Sequence, residues 1–177
     1  MPILHSTAAD VRPRGRAKRR LAQLAIAAIT VPGALALTAG PASAAQTCTG
    51  RADSNLCLSI DRRADGNYNV HVGIDVHMPL YQAQEYVDDV GVPFSVWLRG
   101  DDGKPAEYLF RVPITALVAT SESGLSADFN TVVSGAALDE DRGGVDEVRA
   151  RVTLIDTDTN TTTGIYDSNR IVGSWPF

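Results

Sequence analysis

The sequence has no motif that marks a common enzyme active site. It contains no nucleophile elbow, no zincin helix, no phosphate-binding loop and no dinucleotide fingerprint. Paired carboxylates occur at Asp88-Asp89 and Asp101-Asp102. These are sequence neighbours, whereas glycoside hydrolysis requires two acids on opposite sides of the scissile bond. The sequence therefore favours a binding or structural protein over an enzyme.

A long apolar run is also missing. The apolar segment from Leu21 to Leu37 is interrupted by Pro32-Gly33, and it is shorter than the roughly 20 residues of a membrane-spanning helix. An arginine-rich block precedes the segment, and the small residues Ala42-Ser43-Ala44 follow it. This order is typical of a secretory signal peptide over residues 1–44. It predicts that residues 45–177 are secreted, with a retained membrane anchor as the less favoured alternative.

Cysteine is scarce, because the chain has only Cys48 and Cys57. Their spacing is not that of a Cys-x-x-Cys redox centre, and no cysteine and histidine cluster stands nearby to bind zinc. An even pair in an exported protein predicts a disulfide. The loop is short, so the entropic model gives about 2–3 kcal/mol of stabilisation.

Basic residues are scarce after the leader. The chain has 16 basic and 21 acidic residues, of which six basic and one acidic lie in residues 1–44. Residues 45–177 therefore carry 10 basic and 20 acidic residues, a net charge of −10. Such a charge favours solubility and argues against nucleic acid or anionic lipid as a partner. It is compatible with cation binding, although a solvated acidic surface is the commoner cause.

The stretch Asn67–His77 has the clearest pattern in the chain. Tyr68, Val70, Val72, Ile74 and Val76 alternate with polar residues. This period of two predicts a β-strand with one face in the core and the other towards water. The polar face carries His71, Asp75 and His77. Asp75 and His77 would project side by side at about 6.7 Å, close enough to share a metal, but a polar outer face is the simpler explanation.

Further segments alternate in the same way, with turns rich in aspartate and glycine between them. The seven predicted strands are Asn55–Ile60, Asn67–His77, Val92–Arg99, Glu107–Ile114, Leu125–Val133, Val148–Leu154 and Ile165–Gly173. A helical spacing of apolar residues after Pro79 predicts one short helix that ends near Asp88. The segment 115–124 is predicted to be a loop.

These elements predict an all-β fold, an antiparallel β-sandwich of about seven strands with one short helix. Immunoglobulin-like and C2-like topologies both fit, and a barrel is the alternative. The 133 residues that follow residue 44 of the 177 are enough for one domain and too few for two.

Several connections between the predicted strands are acidic. In an antiparallel sandwich alternate connections emerge at the same end, so those that contain Asp65, Asp101-Asp102 and residues 139–147 are predicted to meet. Carboxylates that converge from separate loops can hold calcium, the ion that a C2-like fold would imply. The candidate ligands are Asp101, Asp102, Asp139, Asp141 and Asp146. Aspartate also suits turns for conformational reasons, which is the favoured explanation.

The alanine-rich leader, the Cys48-to-Cys57 opening, the segment Tyr68–Ile74 and the turn Gly100-Asp101-Asp102 occur together. In this combination the chain resembles small exported proteins of high-GC Gram-positive actinobacteria. Most of these proteins are uncharacterised, so the resemblance brings no activity and no site residue.

The leading hypothesis is a secreted, non-enzymatic β-sandwich that binds an extracellular protein or a cell-wall component, or that has a structural role outside the cell. A calcium-binding domain is the second hypothesis. A secreted hydrolase without a recognisable motif is the third.

Overall fold

The computed structural model describes residues 44–101, 107–139 and 145–176, which form two antiparallel β-sheets. Within this part of the chain the strands are β1 (Ala44–Cys48), β2 (Ser54–Arg62), β3 (Tyr68–Val76), β4 (Phe94–Gly100), β5 (Tyr108–Arg111), β6 (Ile114–Thr120), β7 (Gly124–Val133), β8 (Asp146–Asp156), β9 (Thr161–Asp167) and β10 (Ile171–Gly173). The helix α1 (Leu80–Asp88) lies between β3 and β4, and a short 3-10 helix spans Gly135–Ala137.

The first sheet has the strand order β1-β2-β3-β7-β6. In the second sheet β5, β4 and β8 follow one another, and β9 and β10 lie end to end along the far edge of β8. The predicted fold class is confirmed, because two antiparallel sheets and one short helix make up an all-β sandwich.

The core lies between the two sheets, and β3 is at the centre of the first. The alternating apolar side chains of β3 are all buried, namely Tyr68, Val70, Val72, Ile74 and Val76. Phe94 of β4 meets Phe129 of β7 edge to face, with ring centroids 6.0 Å apart. The Tyr68 ring contacts Trp175 at 5.5 Å, and the Tyr68 hydroxyl donates a hydrogen bond to the Pro176 carbonyl at 3.2 Å. The period of two in Asn67–His77 thus correctly located the centre of the core.

The described residues contain ten strands, three more than predicted. One of the additional strands is β6, and the prediction of a loop over residues 115–124 was wrong. The predicted strand 107–114 ends at Arg111, and Pro113, which cannot donate a backbone hydrogen bond, precedes β6 in the other sheet. β6 lacks the usual alternation because the outward-facing Val118 is as apolar as its neighbour Leu117.

The predicted strand Ile165–Gly173 divides into β9 and β10 at Ser168. The backbone N–H of Ser168 donates to the Ala150 carbonyl at 2.9 Å. The Ser168 hydroxyl in turn accepts a hydrogen bond from the Ala150 N–H at 2.9 Å. The buried side chain therefore takes the place of a backbone acceptor where the ladder breaks, so that Ala150 remains fully hydrogen-bonded.

The remaining additional strand, β1, pairs with β2 through a ladder in which Cys48 and Cys57 are directly opposite. The two form a disulfide, as the sequence predicts. The Asn169 side chain donates to the Cys48 carbonyl at 2.8 Å, which links the outer edge of β1 to the segment between β9 and β10. The predicted leader lies outside the described residues except for Ala44. No helix among the described residues is long and apolar enough to cross a membrane.

The predicted helix is confirmed as α1. Ala83 donates its backbone N–H to the Pro79 carbonyl at 3.0 Å, and its side chain is fully buried. Just before α1, the chain that leaves β3 passes close to Gly124, the first residue of the neighbouring strand β7. Gly124 has a φ of +79°, and a Cβ there would lie 2.6 Å from the Met78 nitrogen and still closer to the Val76 carbonyl oxygen. The close approach of β7 to the end of β3 therefore requires glycine.

Candidate functional site

The outer face of the second sheet carries a group of aromatic and charged side chains that we call the aromatic–arginine face. Its residues are Trp97, Arg99, Tyr108, Arg111, Arg149, Arg151 and Asp167. β4 places Trp97 and Arg99 outward because they alternate with Phe94, Val96 and Leu98, which are buried in the core. The strand register then sets Trp97 between Arg111 and Arg151.

Trp97 and Tyr108 form an exposed aromatic pair on this face. Their ring centroids are 5.5 Å apart and the rings are inclined at 72°, an edge-to-face contact. Trp97 is 38% exposed and Tyr108 is 54% exposed. Solvent therefore reaches two large aromatic side chains on the outer face of a sheet, where polar residues are the usual occupants.

Arg99 lies beneath this pair and is only 7% exposed. Its guanidinium is 5.8 Å from the centroid of the Tyr108 ring, and its Nη1 is 3.6 Å from the Asp167 carboxylate. Within the described part of the chain, Nε and Nη1 of Arg99 and Nε of Arg149 are buried without a hydrogen-bond partner. A buried donor without an acceptor is unfavourable by about 1–3 kcal/mol.

Asp167 is the acidic centre of the face. Arg151 donates two hydrogen bonds to its carboxylate, at 2.8 and 2.7 Å. The hydrogen bond from Arg151, with the positive charges of Arg151, Arg99 and Arg149, holds the pKa of Asp167 below its usual value despite partial burial. The same hydrogen bond raises the pKa of Arg151. Four of the ten basic residues of 45–177 lie on this face, which makes it locally cationic in an acidic protein.

The outer face of the first sheet contains the polar residues of Asn67–His77. Nε2 of His71 is 2.9 Å from the Asp128 carboxylate, and the Ser126 hydroxyl donates to Asp75 at 2.6 Å. Gly73 lies between these two pairs and helps to form a shallow hollow of about 250 Å³. Among the described residues the side-chain partner of His71 is a carboxylate and not a hydroxyl group, so the arrangement does not join a nucleophile to a base.

His77 and Asp75 are the pair that the sequence suggests for a shared metal, but each has a different partner. Nδ1 of His77 is 2.8 Å from the Ala52 carbonyl oxygen, whereas Asp75 accepts from Ser126. Asp75 and His77 thus have separate protein partners. In the ranges 44–101, 107–139 and 145–176, no three histidine, cysteine, aspartate or glutamate side chains are grouped so as to hold a metal ion.

The predicted calcium ligands are only partly described. Asp102 and Asp141 lie outside the described residues. The Asp101 backbone donates to the Glu147 carbonyl at 2.8 Å, so Asp101 lies beside the start of β8, where Asp146 is buried. The Asp101 carboxylate forms an ion pair with Arg149, and a cation at Asp101 would compete with that guanidinium. Asp139 ends the 3-10 helix by donating its N–H to Gly135.

Calcium binding at these aspartates stays a prediction, and thermal melting tests it. If calcium binds the folded protein, a calcium concentration of about 100 times its Kd raises the free energy of unfolding by about 2.7 kcal/mol. The melting temperature would then rise by roughly 5–10 °C in a domain of this size. The reference is the same protein in chelator, and magnesium at equal concentration controls for ionic strength. Identical melting curves in calcium and in chelator would contradict the hypothesis.

No protein-family model matches the chain, and no curated protein or solved structure is significantly similar to it. Its function must therefore be inferred from its own chemistry. In the sequence, Trp97 alternates with the apolar residues of its strand, and Arg149 and Arg151 alternate with those of theirs. This alternation does not show that the three residues share one face, because strand neighbours and register cannot be read from a single strand.

Proposed function

We propose that residues 45–177 form a secreted, non-enzymatic binding domain whose binding surface is the aromatic–arginine face. The observation that carries this proposal is the exposed Trp97–Tyr108 pair on a sheet face where Trp97 lies between Arg111 and Arg151. Tryptophan, tyrosine and arginine are the residues that most often dominate binding energy at protein interfaces.

The energetics of the face favour a partner. Covering Trp97 and Tyr108 removes apolar surface from water at about 25 cal/mol per Å². The outer face of the first sheet, in contrast, presents His71, Asp75 and Asp128, whose polar groups already have partners. The two outer faces of the sandwich thus differ, and among the described residues only the aromatic–arginine face combines an exposed aromatic pair with several arginines.

The chemistry of the face also limits its partner. Arg111 is exposed beside Trp97, so the partner is expected to bring a carboxylate or carbonyl oxygen to this arginine and an apolar group to Trp97. An extracellular protein or a cell-wall component is the expected source. The disulfide between Cys48 and Cys57 supports an oxidising exterior as the place of action, in agreement with the leader-like residues 1–44.

Substituting either aromatic residue is expected to weaken binding strongly. The wild-type protein, immobilised in its oxidised form, is exposed to culture medium and to solubilised cell wall of the secreting cells, and the retained ligand is identified. Its Kd is then measured by calorimetry for Trp97→Ala and Tyr108→Ala. Each variant is expected to lose about 2 kcal/mol of binding free energy, which raises its Kd roughly 30-fold.

The matched control is Tyr81→Ala, since Tyr81 is an exposed aromatic residue on α1, away from the face. It is expected to bind like the wild type. Circular dichroism must show that all variants are folded. A retained ligand whose Kd is the same for the wild type, Trp97→Ala and Tyr108→Ala would show that the binding surface lies elsewhere.

A further inference from the structure

The shallow hollow on the outer face of the first sheet is separate from the aromatic–arginine face. We call it the Gly73 hollow, because Gly73 lies at its centre, directly opposite Cys57 on β2 and Asp128 on β7. The polar side chains that line it are Gln46, Asn55, His71, Asp75, Ser126 and Asp128. A side chain at position 73 would extend into this space, so the hollow exists because residue 73 is glycine.

Neither the backbone nor the packing requires glycine at position 73. Its φ lies outside the left-handed region, and the ladders to β2 and β7 pass through it without a bulge. A Cβ there would lie 3.4 Å from Asp128 Oδ1 and 3.5 Å from His71 Cε1, which are ordinary contacts with side chains. Glycine inside a strand weakens it, and where there is no bulge it often marks the close approach of a ligand.

The two carboxylates of the hollow are held in place and keep a free oxygen each. The Ser126 hydroxyl donates to Oδ1 of Asp75 at 2.6 Å, and Nε2 of His71 is 2.9 Å from Oδ1 of Asp128. Among the described residues, Oδ2 of each aspartate has no hydrogen-bond partner. The hollow therefore presents positioned acceptors that a ligand can reach.

Amide groups supply donors on the β1–β2 side of the hollow. Oδ1 of Asn55 accepts a hydrogen bond from the Gly50 N–H at 3.0 Å. Its Nδ2 is 3.8 Å from Sγ of Cys57, and Nε2 of Gln46 is 4.0 Å from Sγ of Cys48. Sulfur is a weak acceptor, so these N–H groups remain available to a stronger one.

This lining limits the class of ligand that fits. No lysine or arginine lines the hollow, which disfavours an anion. Metal and ammonium ions are served by acceptors alone, whereas a hydroxyl group both donates and accepts and so matches amides and carboxylates together. Ala116 and Val118 add an apolar part to the lining, against which C–H groups can pack. The volume of about 250 Å³ lies below the range for drug-sized ligands, so it suits a single ring.

We propose that the Gly73 hollow binds one sugar ring of a neutral saccharide. The hydroxyl groups of the ring exchange hydrogen bonds with Asn55, Asp75 and Asp128, and its C–H groups rest on the Gly73 backbone and Val118. The site lies on the opposite outer face of the sandwich from the aromatic–arginine face. It is therefore a second binding site and does not depend on the function proposed above.

Amide NMR spectra of the isotope-labelled, oxidised protein test this proposal. The probes are glucose, galactose, mannose and N-acetylglucosamine, each titrated to about 50 mM, because a single ring is expected to bind with a Kd in the millimolar range. At least one of them is expected to shift the amide signals of Gly73 and its ladder partners in a saturable way.

Substitutions at position 73 test the location of the site. Gly73→Val fills the hollow and is expected to raise the Kd by about 10-fold or more. Gly73→Ala is expected to weaken binding while it raises the melting temperature by about 2–5 °C, since alanine is favoured over glycine in a strand. The matched control is Asn69→Ala, because Asn69 also alternates with the buried residues of β3 but does not line the hollow.

The absence of saturable shifts with all four sugars overturns the proposal. Saturable shifts with methylammonium chloride and none with the sugars overturn it too, because the hollow would then be a cation site. An unchanged Kd in both Gly73 variants, with melting curves of folded protein, would place sugar binding elsewhere. Trp97→Ala is expected to bind the sugar like the wild type, so this result is distinguishable from failure of the proposed binding surface.

Discussion

Replacing Gly124 with alanine is expected to lower the free energy of unfolding by about 3–5 kcal/mol, at the upper end of single substitutions. The new Cβ would lie 2.6 Å from the Met78 nitrogen and closer to the Val76 carbonyl oxygen. Both are backbone atoms, so neither can rotate away as a side chain does. β7 must then move from the end of β3, which disturbs the ladder at the centre of the core. Urea denaturation followed by tryptophan fluorescence measures the loss.

Gly66→Ala is the matched control for backbone conformation. Gly66 has a φ of +85°, close to the +79° of Gly124, but a Cβ there has no neighbour within 4 Å. Gly66→Ala is expected to lower the free energy of unfolding by about 1–2 kcal/mol, the cost of placing a residue with a Cβ in a left-handed backbone conformation. The difference between the two variants isolates the contact with β3. Equal losses would mean that β7 does not approach β3 as closely as described.

Asp167→Asn is expected to destabilise the protein by about 3 kcal/mol, because it removes the main counterion of a buried charge. Arg99 is only 7% exposed, and its ion pair is with Asp167. The substitution keeps the shape of the side chain but removes its charge, and it also weakens the paired hydrogen bonds from Arg151. Chemical denaturation at pH 7 measures the effect, with the exposed Asp158→Asn as the control.

A second substitution separates the buried charge from other causes. Adding Arg99→Met to Asp167→Asn removes the unpaired guanidinium, so the double variant is expected to recover about 1 kcal/mol relative to Asp167→Asn. If Arg99→Met destabilises the protein as much in the Asp167→Asn background as in the wild type, Arg99 and Asp167 are not energetically coupled.

The lowered pKa of Asp167 also predicts a dependence on pH. A carboxyl whose pKa is lower in the folded state contributes stability above its unfolded pKa of about 3.9. That contribution is lost as the pH falls towards and through the lower folded pKa. The free energy of unfolding of Asp167→Asn should therefore fall less steeply than that of the wild type below about pH 4. Parallel curves would contradict the lowered pKa.

The sequence predicted the elements that carry their own periodicity. The alternation of β3 and the helical spacing after Pro79 were both visible, because burial of one side repeats along each element. β6 was missed, since its outward and inward residues are alike in polarity. The ion pairs of Arg151 and Arg99 with Asp167 could not be predicted, because they depend on the register of β8 with β9 and β4.

The candidate site also depends on strand register, so it could not be predicted from the sequence. Trp97 and Tyr108 belong to different strands, and a shift between Leu98 and Arg99 in the ladder helps set how they meet. The calcium hypothesis, in contrast, assumed that alternate acidic connections of an antiparallel sandwich meet at one end. The structure brings Asp101 to the start of β8 but gives its carboxylate an arginine partner, Arg149.

The contacts of Tyr68 with Trp175 and Pro176 have a consequence for the order in which the chain folds as it is made from its N-terminus. β1 pairs with β2 and β2 pairs with β3, so this three-stranded segment can form as soon as it emerges. The Tyr68 hydroxyl, however, bonds to a carbonyl 108 residues further along the chain. The core around the central strand therefore closes only after residues 175–176 have emerged. Until then part of the apolar side of β3 is exposed, so an incomplete chain is open to proteases and chaperones.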